Sequence, residues 1–171
     1  QWGLGADATG PVEIEPVRAE WPATGSLFNT ALVSEFRCRY ASGAVLTCKT
    51  TDREQGVGVR FAGSDGMIEA VGYPWTARSE PASLVTDKFP TGRFAIDETT
   101  AHVRNFLDCV KSRQEPAAPV EIGHRSATVC HLGNIALRLG RTIKWDPEHE
   151  DIVGDDEARG MLERPQSDFR F

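Results

Sequence analysis

The chain has 171 residues and a mass of 18.7 kDa, a size typical of one ordinary domain. Hydrophobic residues make up 40% of it and charged residues 26%, a soluble globular composition that argues against disorder or a coiled coil. Nineteen basic and 25 acidic side chains give a formal net charge of −6, which disfavours nucleic acid and anionic membranes as partners. The longest uncharged stretch, 21–34, contains proline and glycine and is too short for a membrane helix.

The first half of the chain predicts β-strands. Apolar and charged residues alternate over 12–17 and again over 27–40, as expected for strands with one solvated face. On the second strand the predicted inward residues are Leu32, Phe36, Cys38 and Tyr40. Strands at 57–61 and 67–71 flank a turn signal at 63–66. These patterns predict an antiparallel meander that is covered on one face and more polar on the other.

A hairpin is predicted between the strand that ends at Tyr40 and a return strand over 44–50. A three-residue loop, Ala41-Ser42-Gly43, pairs Cys38 with Leu46 and keeps both apolar sets on one face. A two-residue loop would place the two sets on opposite faces. We therefore predict three residues, with Gly43 supplying a positive φ.

The stretch 73–92 is predicted to be irregular, because three prolines and a glycine interrupt it. It is either a lid beside a substrate or a plain connector.

The second half predicts helices. Residues 97–113 carry an apolar stripe at helical spacing, formed by Val103, Phe106, Leu107 and Val110. A second helix is predicted from about Gly123 to Gly140 and, with few polar residues, is expected to be buried on most sides. A short strand over 142–145 and a last short helix over 155–162 complete the pattern. The acidic groups Asp97-Glu98 and Asp155-Asp156-Glu157 are explained by capping of the helix dipole.

The four cysteines are Cys38, Cys48, Cys109 and Cys130. They contain no Cys-x-x-Cys pair, which disfavours a zinc ribbon or a redox pair. We predict that they pack as small hydrophobic residues in the core.

Most signatures of self-contained catalysis are missing from the sequence. It has no Gly-x-Gly-x-x-Gly, phosphate-binding loop, Gly-x-Ser-x-Gly or His-Glu-x-x-His. His124 and His131 share a helix face, but seven residues is wider than the usual spacing of metal ligands. No metal site is therefore predicted.

Gly123-His124-Arg125 stands out as a candidate binding motif at the start of the second helix. Free N–H groups, the helix dipole and Arg125 together suit an anion or a polar hydroxyl ligand. The competing interpretation is that His124 and Arg125 are surface residues of the first turn. Any of the four tryptophans could stack on a sugar, although core or interface packing explains each: Trp2, Trp21, Trp75 and Trp145.

Several spaced segments resemble the glucose–fructose oxidoreductase / inositol dehydrogenase superfamily, known as Gfo/Idh/MocA, and its bacterial putative-dehydrogenase branch. They are 1–5, 9–13, 102–113, 123–127, 133–136, 140–147 and 154–158. The resemblance covers nearly the whole chain and is weakest over 73–92. It implies a C-terminal α+β domain with a large, open, mainly antiparallel sheet and helices on one face, like that of dihydrodipicolinate reductase.

The resemblance also implies a division of labour. Family members bind NAD or NADP in an N-terminal Rossmann domain, and we expect that domain to be absent from residues 1–171. Their catalytic His and Asp lie on a helix whose end resembles the segment beginning at Gln1, so no catalytic residue is expected in this chain. We expect the isolated chain to be inactive and to bind no cofactor. Within it, His124, Arg125 and Trp2 are the residues assigned to the substrate.

Three functions follow as hypotheses. The first is the substrate-binding and oligomerisation domain of a nicotinamide-dependent sugar or polyol dehydrogenase, associating through its sheet. The second is a stand-alone carbohydrate-binding or scaffold module. The third is a parent enzyme that uses its nicotinamide transiently for hydrolase, epimerase or lyase chemistry. The sequence leaves the compartment open between the cytoplasm and export by a twin-arginine signal outside this segment.

Overall fold

The computed structural model describes residues 2–50, 57–71, 76–85 and 97–163. In these residues the strands are β1 Glu13–Glu20, β2 Val33–Arg39, β3 Val45–Lys49, β4 Gly58–Gly63, β5 Gly66–Val71, β6 Thr76–Glu80, β7 Ile143–Asp146 and β8 Asp151–Ile152. The α-helices are α1 Asp97–Ser112, α2 Val120–Leu139 and α3 Asp156–Arg159. Short 3-10 helices occupy Trp2–Leu4 and Ala82–Leu84. These elements confirm the predicted α+β class.

The chain forms two compact units, one made of residues 1–50 and 120–171 and the other of residues 51–119. The first contains a five-stranded sheet, α2 and α3, and the second contains a three-stranded sheet and α1. The assignment of residues 1–171 to a single domain remains a prediction.

The five-stranded sheet of the first unit has the order β3-β2-β1-β7-β8, and every neighbouring pair is antiparallel. The register pairs Ile14 of β1 with Cys38 on one side and Ile143 on the other. Because directly opposed residues share a face, these three side chains lie in one row, and all are essentially buried. The first strand of the chain, β1, therefore pairs with β7 from the C-terminal part of the chain inside one sheet.

The predicted β2–β3 hairpin is confirmed in its loop length and register. Cys38 pairs with Leu46, and the Tyr40 N–H donates to the carbonyl of Ala44 at 2.9 Å. Gly43 has a φ of 88°, a conformation that residues with a Cβ rarely adopt. The alternation of apolar residues was therefore sufficient to specify this turn.

Helix α2 covers one face of this sheet. Its second half is buried, through Val129, Leu132, Gly133, Ile135, Ala136 and Leu137. The helix approaches the sheet closely at Gly133, where an added Cβ would lie 2.4 Å from Cζ of Phe36. The buried cluster consists of Ala6, Ile14, Phe36, Cys38, Tyr40, Val129, Leu132, Ile135, Ala136, Leu137, Ile143, Trp145, Ile152 and Ala158. The first half of α2 is more exposed than the sequence predicts, since Ala127 and Cys130 lie at the surface.

The second unit contains a separate antiparallel sheet with the order β4-β5-β6. Gly63 pairs with Gly66 around the predicted turn. Strand β6 falls inside the stretch predicted to be irregular, so that prediction was wrong for 76–80. The strand is mostly polar and exposed, and pairing with β5, including an Arg78–Glu69 ion pair of 2.9 Å, compensates for its weak sequence pattern. In the described residues the predicted meander is thus divided between two sheets.

Three local predictions need correction. Strand β2 begins at Val33, because its partner β1 ends at Glu20, and Leu32 is 66% exposed. On α1 the apolar stripe is present, but its four side chains are 46–57% exposed. Of the four cysteines, Cys38 is buried, Cys48 and Cys109 are half-buried, and Cys130 is exposed. Burial raises the pKa of the Cys38 thiol to about 12.

Candidate functional site

Helix α2 begins at Val120, directly after Pro119, three residues earlier than the sequence pattern predicts. The first four N–H groups of a helix lack partners inside it, and here these belong to residues 120–123. His124 and Arg125 therefore lie in the second turn, and their backbone N–H groups are not the free donors that the sequence interpretation assumed. Any binding by these two residues must come from their side chains.

The Arg125 side chain is only 16% exposed and has three polar neighbours. Its Nε donates to Glu121 Oε1 at 2.7 Å, four residues earlier on the helix. Its Nη1 donates to the carbonyl oxygen of Pro147 at 3.0 Å and lies 3.8 Å from Glu150 Oε1. Arg125 thus ties the start of α2 to the turn between β7 and β8.

The His124 ring lies beside the same turn and is 51% exposed. Its Nε2 is 3.0 Å from both carboxylate oxygens of Glu150. His124, Arg125 and Glu150 consequently form one polar cluster in the first compact unit, with Glu121 at its edge. The structure therefore brings His124 and Arg125 together around a carboxylate that the sequence interpretation did not include.

The turn that carries Glu150 is organised by Asp146. One oxygen of this carboxylate accepts the backbone N–H groups of Glu148 and His149 at 2.9 and 3.1 Å, and the other lies 2.8 Å from His149 Nδ1. The hydrogen bonds from His149 lower the pKa of the Asp146 carboxyl, and the side-chain bond to Asp146 raises the pKa of His149. An aspartate followed by proline is a strong turn signal, so the turn was foreseeable.

Glu150 ends this turn with a φ of 52°, an unusual value for a residue other than glycine. This conformation precedes strand β8 and accompanies the contact between the Glu150 carboxylate and α2. The sequence offered only a charged run, Glu148-His149-Glu150-Asp151, as a signal, and such runs are usually solvated. Contact between residues 26 positions apart cannot be read from that pattern.

The buried Trp145 lies on β7, directly before the turn that carries Glu150. It pairs with Ile152 of β8 and is 6% exposed. The N-terminal segment runs against it, since a Cβ on Gly10 would lie 3.6 Å from Trp145 Nε1 and 3.4 Å from Pro147 Cβ. The N-terminal segment, the β7–β8 turn and the start of α2 therefore converge at one end of the first unit.

The four tryptophans considered for stacking on a sugar do not share one environment. Trp145 belongs to the core, and Trp21 lies under Arg138, whose guanidinium carbon is 5.2 Å from the ring centroid. Trp2 begins the first 3-10 helix, but its side chain lies outside the described part of the chain, as does Trp75. The structure thus leaves the role of Trp2 as a prediction.

A second charged network stabilises the C-terminal end of the first unit. Asp155 caps α3 by accepting the Ala158 N–H at 3.0 Å, which confirms its predicted capping role. Arg141 donates to Asp155 at 2.9 Å and to Glu157 at 2.6 Å. The Arg141 bond, followed by the Ala158 N–H, lowers the pKa of Asp155 to about 2. These groups are all engaged with one another, so their role is structural.

Among residues 2–50, 57–71, 76–85 and 97–163, three or more His, Cys, Asp or Glu side chains nowhere gather in a way that could hold a metal ion. Over the same ranges, no helix combines the length and apolar character needed to span a membrane.

Comparison with known proteins identifies the class. Residues 1–170 match the family model described as the oxidoreductase family, C-terminal alpha/beta domain, of the Gfo/Idh/MocA group. The chain therefore belongs to the Gfo/Idh/MocA oxidoreductase family and corresponds to its C-terminal domain. No curated protein sequence matches the chain.

A solved structure has the same fold. It is the aldose-aldose oxidoreductase from Caulobacter crescentus, complexed with glycerol, which is 20% identical with a TM-score of 0.63. The similarity covers 80% of this chain and 42% of that one, so the chain corresponds to less than half of its structural relative.

Proposed function

We propose that this chain is the substrate-binding and oligomerisation part of an NAD- or NADP-dependent oxidoreductase that acts on a sugar or polyol. The observation that carries the proposal is the family match over residues 1–170. The aldose-aldose oxidoreductase that shares the fold was crystallised with glycerol, a small polyol, which supports this substrate class.

The cofactor is assigned to a domain outside these residues. Dinucleotides bind at the carboxyl ends of parallel strands, beside a glycine-rich turn. Every strand pair in the described part of this chain is antiparallel, and the sequence has no Gly-x-Gly-x-x-Gly. The described residues therefore do not fit a dinucleotide cofactor. We place the catalytic His and Asp, like the cofactor, in the rest of the parent enzyme.

The substrate site is proposed at the cluster of His124 and Arg125. Sugars and polyols present many hydroxyl groups, which both donate and accept hydrogen bonds. His124 offers an accessible ring edge, because it is 51% exposed while Glu150 holds its Nε2. Arg125 contributes positive charge and fixes the turn through the carbonyl of Pro147. Trp2 is proposed to provide an apolar surface for the sugar ring.

The subunit interface is proposed on the face of the five-stranded sheet opposite α2. Charged residues dominate it, and cross-strand pairs join Arg37 to Glu15 at 3.7 Å and Arg39 to Glu13 at 3.5 Å. Val45, 48% exposed, shares this face because it pairs with Arg39. A surface with both signs of charge and some apolar area suits packing against a second copy.

The decisive experiment uses the intact parent enzyme with both nicotinamides and a panel of sugars and polyols. His124→Ala is expected to raise KM for the preferred substrate about tenfold, the effect of losing one hydrogen bond of about 1.4 kcal/mol. His102→Ala removes an exposed histidine from α1 and is the matched control. Unchanged KM in His124→Ala would refute the site, and absence of nicotinamide-dependent turnover across the panel would refute the proposed function.

A further inference from the structure

The Glu150 carboxylate contacts only one of the two ring nitrogens of His124. Both carboxylate oxygens of Glu150 lie 3.0 Å from the same ring nitrogen, Nε2. In the described part of the chain the other nitrogen, Nδ1, has no hydrogen-bond partner. The two nitrogens of one ring therefore have different environments, one occupied and one open.

An ionised carboxylate can only accept hydrogen bonds. The nitrogen that faces it must then carry the hydrogen, and in a neutral imidazole the opposite nitrogen is an acceptor. Carboxylates that hold one nitrogen of a histidine select its tautomer and orient its ring in the same way in metal sites and catalytic triads.

We propose that Glu150 is a positioning residue that holds His124 in the Nε2–H tautomer and leaves Nδ1 as an acceptor for a hydroxyl group of the substrate. This inference rests on the proposed function for the identity of that hydroxyl, which belongs to a sugar or polyol. The pairing itself depends only on the geometry of this chain.

The surroundings keep the Glu150 carboxylate in place. Arg125 Nη1 lies 3.8 Å from Glu150 Oε1, so the guanidinium attracts the carboxylate towards the helix. Arg125 is itself held by Glu121 and by the carbonyl of Pro147. The carboxylate is thus fixed between a histidine and an arginine that belong to the same helix.

A fixed pairing of Glu150 with Nε2 predicts a defined ring spectrum for His124. The experiment records ¹⁵N–¹H correlations of the ring in this chain at pH 9. We expect a single tautomer with a protected, observable Nε2–H proton. In Glu150→Ala we expect that proton signal to disappear and the two ring nitrogen shifts to move towards a tautomer average.

Two further variants complete the test. Glu150→Gln keeps a carbonyl oxygen that can accept from Nε2–H and should restore the protected proton. Glu148→Ala removes an exposed carboxylate of the same turn and should leave the His124 spectrum unchanged. Retained dispersion of the remaining amide signals shows that each variant is folded. An Nδ1–H tautomer in the wild type, or identical ring shifts in the wild type and Glu150→Ala, would overturn the proposal.

Failure of the proposed function is distinguishable from failure of this inference. The ring spectrum is recorded without sugar and reports only on the pairing. If the spectrum is as expected while His124→Ala leaves KM of the parent enzyme unchanged, the positioning holds and the substrate assignment is refuted. If the spectrum differs, the positioning is refuted whatever the kinetics.

Discussion

At the scale of single residues, a tight contact at Gly133 joins α2 to its sheet. Gly133 lies over the Phe36 ring, and an added Cβ would approach three ring carbons at 2.4–2.6 Å. Gly123 lies ten residues earlier on the same helix, and a Cβ there would meet nothing within 4 Å. The two glycines are therefore a matched pair in which only the packing differs.

We predict that Gly133→Ala lowers the free energy of unfolding by about 1–3 kcal/mol, because Phe36 is buried and has little room to move. Gly123→Ala should raise it by about 0.5–1 kcal/mol through better helix propensity. Urea unfolding of the two variants measures both changes. Equal stability of Gly133→Ala and Gly123→Ala would contradict the packing described here.

At the scale of elements, the ends of helices are set by short polar interactions whose strength depends on pH. Asp155 caps α3 and bonds Arg141, and this combination lowers the pKa of its carboxyl from 3.8 to about 2. A carboxyl with a lowered pKa in the folded state contributes stability above its ordinary pKa. That contribution is lost as the pH falls through the lowered value.

We therefore predict that Asp155 contributes to the loss of stability between about pH 4 and pH 2. In Asp155→Asn the melting temperature should be lower at neutral pH, and its decline over this window should be shallower than in the wild type. Melting curves from pH 7 to pH 2 provide the test. Asp108→Asn, which removes a carboxylate paired with Arg104 on α1, is the control. A parallel decline in Asp155→Asn and the wild type would refute the prediction.

At the scale of the whole molecule, the five-stranded sheet has one face covered by α2 and an opposite face with charged residues and the exposed Val45. The proposal that this face meets a second copy predicts self-association of the chain. Sedimentation velocity should show a dimer or larger species, weakened by Val45→Glu on that face. Val57 does not belong to this sheet and is 73% exposed, so Val57→Glu should leave the association unchanged. A clean monomer at high concentration would argue against the interface.

A second prediction at this scale concerns the cofactor. Because the described sheets are antiparallel and the sequence lacks the glycine fingerprint, we expect no binding of NAD(H) or NADP(H) to this chain. Titration calorimetry at millimolar cofactor tests this expectation. Saturable binding would show that the cofactor site lies within these residues after all.

Local sequence patterns determined the elements that depend on near neighbours. The β2–β3 loop follows from alternation and one glycine, the cap of α3 from Asp155, and the body of α2 from its apolar spacing. Each of these features involves residues that are close along the chain, so residue type and hydrophobic periodicity are enough to predict it. The resemblance of spaced motifs to Gfo/Idh/MocA proteins was likewise legible in the sequence, and the family match confirms it.

Only the tertiary structure decided the features that join distant segments. The β1–β7 pairing that unites the two ends of the first unit, the polar strand β6, and the contact of Glu150 with His124 have no local signature. Strand partners and ion pairs of this kind depend on which backbones the whole fold brings together. Residue type and spacing singled out His124 and Arg125, whereas the carboxylate that orients His124 is defined by a turn 26 residues further along the chain.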